Sequence, residues 1–200
     1  PETGPPVLSY NNSSPQTSIS VTWSTNSFSD SRIYYGIEDI NENVIPVTEH
    51  EDMLNEGDNL IHRTTLVNLQ PGTEYKYKVI TDGVFESEVL SFTTASYTDK
   101  FTIAVMGDNR PTADLGVLNG IIGDDPEFIL HTGDVVQKGL ILSTWFEFLR
   151  NWKELLGTIP WLVTYGNHEE DVLLNKFFKF PENGSSNTDD FGHWYSMDYN

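Results

Sequence analysis

No cysteine occurs anywhere in the 200 residues. That excludes a disulfide framework and thiolate metal ligands, so any metal site must be built from nitrogen and oxygen donors. Positive charge is scarce too: 11 Lys and Arg stand against 30 Asp and Glu, a formal net charge of −19. Such a field repels polyanions, so nucleic-acid binding is not expected, and an anionic substrate would need bound cations to approach. The acidity also serves solubility alone, with no substrate implied. No run approaches the roughly 18 apolar residues that a membrane-spanning helix requires. What is present is ample core material, 38% hydrophobic and 12% aromatic, enough for packed domains rather than disorder. The sequence opens on Pro1, not Met, from which upstream removal of an export signal and an extracellular or cell-surface location are expected. Asn11-Asn-Ser, Asn12-Ser-Ser and Asn183-Gly-Ser fit the glycosylation pattern that such a setting would use.

A change of pattern near Ala95 to Lys100 divides the chain into two expected domains, 1–97 and 98–200. The first reads as all-β. Short alternating runs recur between turn residues: Ser18–Trp23, Arg32–Tyr35, Asn43–Val47, His62–Val67, Glu74–Ile80 and Val89–Thr94. In Glu74–Ile80, Tyr75, Tyr77 and Val79 share one face and Lys76 and Lys78 the other, as a half-buried strand requires. Regular spacing of such strands predicts a sandwich. Leu69-Gln-Pro-Gly-Thr-Glu-Tyr75 resembles the fibronectin type III signature, which implies Tyr75 as a tyrosine corner and Trp23 as the core indole. The acidic stretch Glu49 to Asp58 reads as a solvated loop, with a weak Ca²⁺ site as its alternative, and His50 and His62 as surface or strand residues.

In the second half alternation gives way to continuous apolar runs, the pattern of parallel strands buried on both faces. Three of them end in Gly followed by a metal-preferring or acid/base side chain: Phe101–Asp108, Phe128–Asp134 and Trp161–Glu169. The segments between are helical in pattern. One runs from Pro111 and Thr112 to Ile122, stopped by Gly123; the other carries a Thr144/Glu147 capping box and a stripe of Trp145, Phe148, Leu149, Trp152, Leu155 and Leu156. Right-handed crossovers bring the three strand ends to one sheet edge, where open α/β folds hold their ligands. Two carboxylates, an Asn carbonyl and an imidazole converge there, a hard-donor set suited to divalent metal and phosphoryl oxygen. Asn109 and Arg110, placed by the Pro111 helix at its positive end, are candidate phosphate contacts; Arg110 equally suits a nearby carboxylate. His131 is either a supporting residue behind the site or a satisfied core histidine. A short helix over Asp171–Phe178 and a strand over His193–Tyr199 follow.

Gly107-Asp108, Gly133-Asp134 and Gly166-Asn167-His168-Glu169 resemble the first three motifs of the calcineurin-like metallophosphoesterases, and the segment before them resembles the N-terminal domain of the purple acid phosphatase branch. The resemblance implies an all-β sandwich followed by the first half of an α/β metallophosphoesterase domain. It implies phosphate-ester hydrolysis at two di- or trivalent ions of Fe, Zn, Mn or Ca, with Asp134 bridging, Asp108 on one ion and Asn167 on the other. His168 then stabilises or protonates the leaving oxygen, with Glu169 as its orienting partner. Gln137 stands where the purple branch carries a Tyr, and the family's later His motifs fall beyond Asn200. A half-built core is therefore expected, completed by further chain or a second polypeptide. The alternative is a cell-surface adhesion or assembly module that keeps an inactive phosphoesterase scaffold.

Overall fold

The computed structural model describes residues 3–12, 14–26, 30–47, 49–53, 59–98, 100–110, 112, 114–169, 173–184 and 192–199. The first half is built from β1 (Gly4–Ser9), β2 (Ile19–Thr25), β3 (Ser31–Gly36), β4 (Asn43–Pro46), β5 (Glu49–Asp52), β6 (Leu60–Leu66), β7 (Glu74–Thr81), β8 (Phe85–Glu86) and β9 (Leu90–Thr93). One sheet carries β1-β2-β6-β5; the other is β4-β3-β7-β8, with β9 also on β7. Between them Val21, Trp23 and Leu66 meet Ile33, Tyr77 and Val79. The Trp23 indole donates to Thr81 Oγ1 at 3.1 Å, and the Gln70 amide donates to the Tyr75 hydroxyl at 2.9 Å, which fixes the corner where β7 begins.

Residues 49–52 are an edge strand on β6 rather than part of a solvated loop, with Glu49 opposite Arg63 and His50 opposite His62; residues 54–58 of that stretch lie outside the described residues. His50 and His62 are strand residues, one of the two positions expected for them, and His62 is wholly buried rather than on the surface.

The second half supplies β10 (Ile103–Met106), α1 (Leu115–Asp124), β11 (Phe128–His131), α2 (Leu142–Asn151), α3 (Lys153–Leu156), β12 (Trp161–Val163) and α4 (Leu174–Phe177). β10, β11 and β12 pair in parallel in that order. The run of strands does not stop there. β12 pairs with β1 through Ser9 and Trp161, so a single seven-stranded sheet, β10-β11-β12-β1-β2-β6-β5, crosses the sequence boundary. Val7, Met53 and Ile61 accordingly share a core with Trp145, Phe148, Trp161 and Phe177. The first half thus furnishes part of the core that the second could not complete. Polar ties reinforce the seam: Tyr77 donates to the Gly157 carbonyl at 2.7 Å, and Arg63 to the carbonyls of Asn175 and Lys176 at 2.9 and 2.6 Å.

Several local expectations need correction. α1 begins at Leu115, capped by Asp114, whose Oδ1 accepts from the amides of Gly116 and Val117; Thr112 precedes it, and Pro111 lies outside the described residues. Leu118 and Ile121 are its buried face while Leu115 and Ile122 are exposed, and Gly123 lies inside it. Thr144 does not cap α2, because its hydroxyl turns to the carbonyls of Lys138 and Ile141 and the helix starts at Leu142, most of a turn earlier. The aromatic stripe is buried as read, interrupted at Trp152 where α2 passes into α3. β10 is not buried on both faces: it is an edge strand, with Ile103 and Val105 exposed. Residues 193–199 pair with no strand among the described residues, although Tyr195, Met197 and Tyr199 still alternate inward. The short helix after Glu169 shrinks to α4, with 171 and 172 outside the described residues.

Candidate active site

Parallel registers of Met106 with His131 and His131 with Val163 bring the loops after β10, β11 and β12 side by side. Backbone hydrogen bonds lace the first two: Asp108 N–H to the Gly133 carbonyl at 3.0 Å and Arg110 N–H to the Asp134 carbonyl at 3.1 Å. Glycine permits the close approach. A Cβ on Gly133, whose φ is +99°, would lie 2.5 Å from the Gly166 nitrogen, and one on Gly166 would lie 2.0 Å from Asp134 Oδ1. Asp108, Arg110 and Asp134 all hold left-handed backbone, with φ of 53°, 56° and 59°. Three such residues in one loop pair mark a strained edge of the kind found at functional sites.

Asp134 is the hub. Its Oδ1 accepts from the His168 amide at 3.1 Å and its own amide donates to Glu169 Oε2 at 2.9 Å. Glu169 is completely buried and accepts also from Gly166 N at 2.6 Å and, through Oε1, Val136 N at 3.4 Å. It therefore braces the two loops and does not orient the His168 ring. That ring donates from Nδ1 to the Gln137 carbonyl at 2.7 Å, which leaves Nε2 for chemistry. Gln137 also accepts from Arg110 Nη1 at 2.5 Å, while Arg110 Nε meets Asp108 Oδ1 at 3.0 Å; of the two partners weighed for Arg110, the carboxylate is the one it takes here. Gln137 carried no sequence signal of its own beyond replacing a Tyr.

His131 ends β11, directly before the second loop. It is buried, stacked on Trp161, and its Nδ1 accepts from Gly133 N at 3.2 Å while Nε2 donates to Asn109 Oδ1 at 2.5 Å. Burial lowers its pKa to about 4, with Asp134 opposing the shift, so the ring is neutral near pH 7. Asn167 is exposed in the turn between Gly166 and His168. Tyr165, just before that turn, stacks on His193 with centroids 4.5 Å apart, a neighbour no pattern announced.

Asp108, Asp134 and Asn167 offer hard oxygen donors, the right kind for di- or trivalent cations. In number they fall short: among the described residues no group of three or more His, Cys, Asp or Glu side chains is gathered to hold a metal ion.

Residues 101–200 match the calcineurin-like phosphoesterases, and residues 5–94 the purple acid phosphatase N-terminal domain. The chain belongs to the calcineurin-like phosphoesterase family. Its fold is that of a purple acid phosphatase from yellow lupin (Lupinus luteus) seeds, PPD1: TM-score 0.77 at 20% identity, over 98% of this chain and 43% of that one. Among curated proteins it is similar to two from Arabidopsis thaliana. Probable inactive purple acid phosphatase 27 is 21% identical over 70% of this chain, and probable inactive purple acid phosphatase 24 is 26% identical over 55%. The matched regions span 28% and 22% of those relatives. As a phosphoesterase the chain thus shows an N-terminal sandwich and part of a metallophosphoesterase domain in one sheet.

Proposed function

We propose that this chain supplies the ligand-bearing loops of a metal-dependent phosphate-ester hydrolase. Asp108, Asp134 and Asn167 donate to two cations (Fe, Zn, Mn or Ca), Asn109 and Arg110 contact the phosphate, and His131 and Glu169 hold the loops. The observation that carries this is the fixing of Asp134: its amide, carboxylate and carbonyl are held by Glu169, the His168 amide and the Arg110 amide, between the first and third loops. Bound cations supply the positive charge that a phosphoryl group requires near a surface of net charge −19. His168, with Nδ1–H held by the Gln137 carbonyl, gives a proton from Nε2 to the leaving oxygen as its doubly protonated, cationic ring and is left neutral by that step. The remaining donors come from sequence or a partner beyond these residues. The division 1–97 and 98–200 is proposed as two sequence units sharing one sheet, and an extracellular or cell-surface setting belongs to the same reading. No helix among the described residues is long and apolar enough to cross a membrane.

One observation favours a second reading. The Arg110 guanidinium lies on Asp108, putting a fixed positive charge on a carboxylate that the hydrolase needs for a cation. A scaffold serving adhesion or assembly without hydrolysis has that feature, and the curated relatives are themselves named inactive. Elemental analysis and turnover of 4-nitrophenyl phosphate decide between them. Two tightly held metals with a turnover abolished by Asp134→Ala support the hydrolase; a metal-free, inert protein supports the scaffold.

A further inference from the structure

Arg110 does not hang free beside the site loops. Its guanidinium is held at two points, Nε on Asp108 Oδ1 at 3.0 Å and Nη1 on Gln137 Oε1 at 2.5 Å, and its backbone amide donates to the Asp134 carbonyl at 3.1 Å. Left-handed backbone at Asp108 and Arg110, with φ of 53° and 56°, accompanies this reach across two residues. A guanidinium is never deprotonated in a protein, so Asp108 carries a fixed positive neighbour. The carboxylate alone would hold it only loosely, because the contact is open to water, with 70% of the Asp108 side chain and 38% of the Arg110 side chain exposed. Gln137 supplies what the pair lacks. Its amide oxygen takes a second hydrogen of the planar fork, and a fork fixed at two points has one orientation.

Arg110 Nε must leave Asp108 Oδ1 before a metal ion takes that oxygen, since two positive charges on one oxygen repel. We propose that Arg110 is an autoinhibitory contact of the candidate site, with Gln137 as the residue that positions it: the chain's own cation holds Asp108 and gives it up to a metal ion. The guanidinium so released is free for the phosphate, which makes the carboxylate and the phosphate successive partners of Arg110 rather than competing ones. The exchange is reciprocal. A tighter hold of Gln137 on Arg110 lowers metal affinity, and metal binding loosens that hold by the same factor. The contact that favours the scaffold reading is then a resting state of the hydrolase. All of this rests on Asp108 as a cation ligand, as in the hydrolase reading, and Mn²⁺ binding read without turnover tells the failure of one from the failure of the other.

The probe is Mn²⁺ alone, titrated into the full chain and followed by the loss of its aqueous EPR signal on binding. Arg110→Met is expected to raise Mn²⁺ affinity about three- to tenfold, the scale of one displaced ion pair and its supporting hydrogen bond. Gln137→Met keeps the charge on Arg110 and the backbone carbonyl for His168 but removes the second acceptor, and should raise affinity about two- to fourfold. In an Arg110→Met chain the same change adds nothing, because Gln137 acts through Arg110. Lys138→Met removes an equal charge one residue beyond Gln137 and should leave affinity within about twofold. Equal affinities in the parent and in Arg110→Met overturn the autoinhibitory contact and leave the hydrolase reading standing; no Mn²⁺ binding in either overturns both. A gain as large in Lys138→Met reduces the effect to net charge and overturns the contact as well. A Gln137→Met gain that persists without Arg110 overturns the positioning role, and Gln137→Met against Lys138→Met gives the same decision should Arg110→Met not fold.

Discussion

Glu169 Oε2 accepts at once from the amide of Gly166 in its own loop and from that of Asp134 in the neighbouring one, at 2.6 and 2.9 Å. One buried oxygen thus fixes the separation of the second and third site loops. Glu169→Ala would leave these two amides, and that of Val136, without their acceptor in a place water does not reach. Hydrogen bonds to a charged group contribute about 1.5–3 kcal/mol each, and such losses are not additive, so a destabilisation of about 3–5 kcal/mol is expected from urea unfolding. Glu169→Gln, which keeps one carbonyl acceptor, should cost clearly less. Equal costs for the two would mean that the carboxylate packs rather than braces.

The loops were legible because their chemistry is local. Gly133 and Gly166 are required by close approach of two backbones, and a Gly beside an Asp or Asn advertises that need in the sequence. β7 was legible for a similar reason, its inward Tyr75, Tyr77 and Val79 alternating with lysines. Elements whose strand character comes from a distant partner were not. β1 contains Pro5 and Pro6, which donate no backbone hydrogen bond, and its register shifts between Gly4 and Val7; it is held by β2 on one side and β12 on the other. β5 reads Glu-His-Glu-Asp and is a strand because β6 offers it an edge. The joint sheet, and Gln137 as the residue linking Arg110 to His168, depend on tertiary placement that no spacing encodes.

Gly166→Ala tests the closeness of those loops. Its Cβ would meet Asp134 Oδ1 at 2.0 Å and the Asp134 nitrogen at 2.3 Å, and backbone cannot step aside as a flexible side chain can. A loss of at least about 2 kcal/mol is expected in thermal unfolding, in the range of overpacked interiors. Gly83→Ala is not a clean control, because Gly83 has φ of +71°. Gly120→Ala is: nothing lies within 4 Å, and an alanine there should stabilise α1 by up to about 1 kcal/mol.

Arg63 ties the sandwich to α4. It is 7% exposed, donates from Nε to Thr22 Oγ1 at 3.2 Å and from Nη2 to the carbonyls of Asn175 and Lys176. Arg63→Met keeps much of the apolar stem and removes all three bonds. The expected cost is about 2–4 kcal/mol, accompanied by faster hydrogen exchange at the amides of Phe177 and Phe178, which close the α4 turn. The neighbouring Lys176–Glu51 ion pair is more exposed, and Lys176→Met should cost under about 1 kcal/mol.

His62 gives the fold an acid sensitivity with a defined sign. Its ring lies against Trp23 and His50, with Nε2 2.6 Å from Thr25 Oγ1, and burial followed by the charge of His50 lowers its pKa to about 4. In the unfolded chain the ordinary value is about 6.5. Between those values, as pH falls, the unfolded state takes up a proton that the folded state refuses. Stability therefore drops on acidification through that window, by at most about 1.4 kcal/mol per pH unit, and this contribution levels off below the folded value. His131 acts in the same direction. Urea midpoints measured from pH 7 down to pH 5, above most carboxylate titration, should show a shallower slope in His62→Gln; an unchanged slope would mean that the ring takes up its proton while folded.

Asp108 should behave in the opposite way to a structural residue. It holds a left-handed backbone at φ 53°, and its ion pair with Arg110 is largely open to water, with 70% of the Asp108 side chain exposed. Glycine adopts that backbone freely, which offsets the extra entropy it gives the unfolded chain, and an exposed ion pair contributes little. Asp108→Gly is expected to stay within about 1 kcal/mol of the parent, or to exceed it, in urea unfolding. If Asp108 is a cation ligand, the same variant loses Mn²⁺ affinity in a calorimetric titration while its stability holds. That separation is what a residue kept in strained geometry for its chemistry produces, and a loss of more than about 2 kcal/mol would instead mark Asp108 as part of the frame.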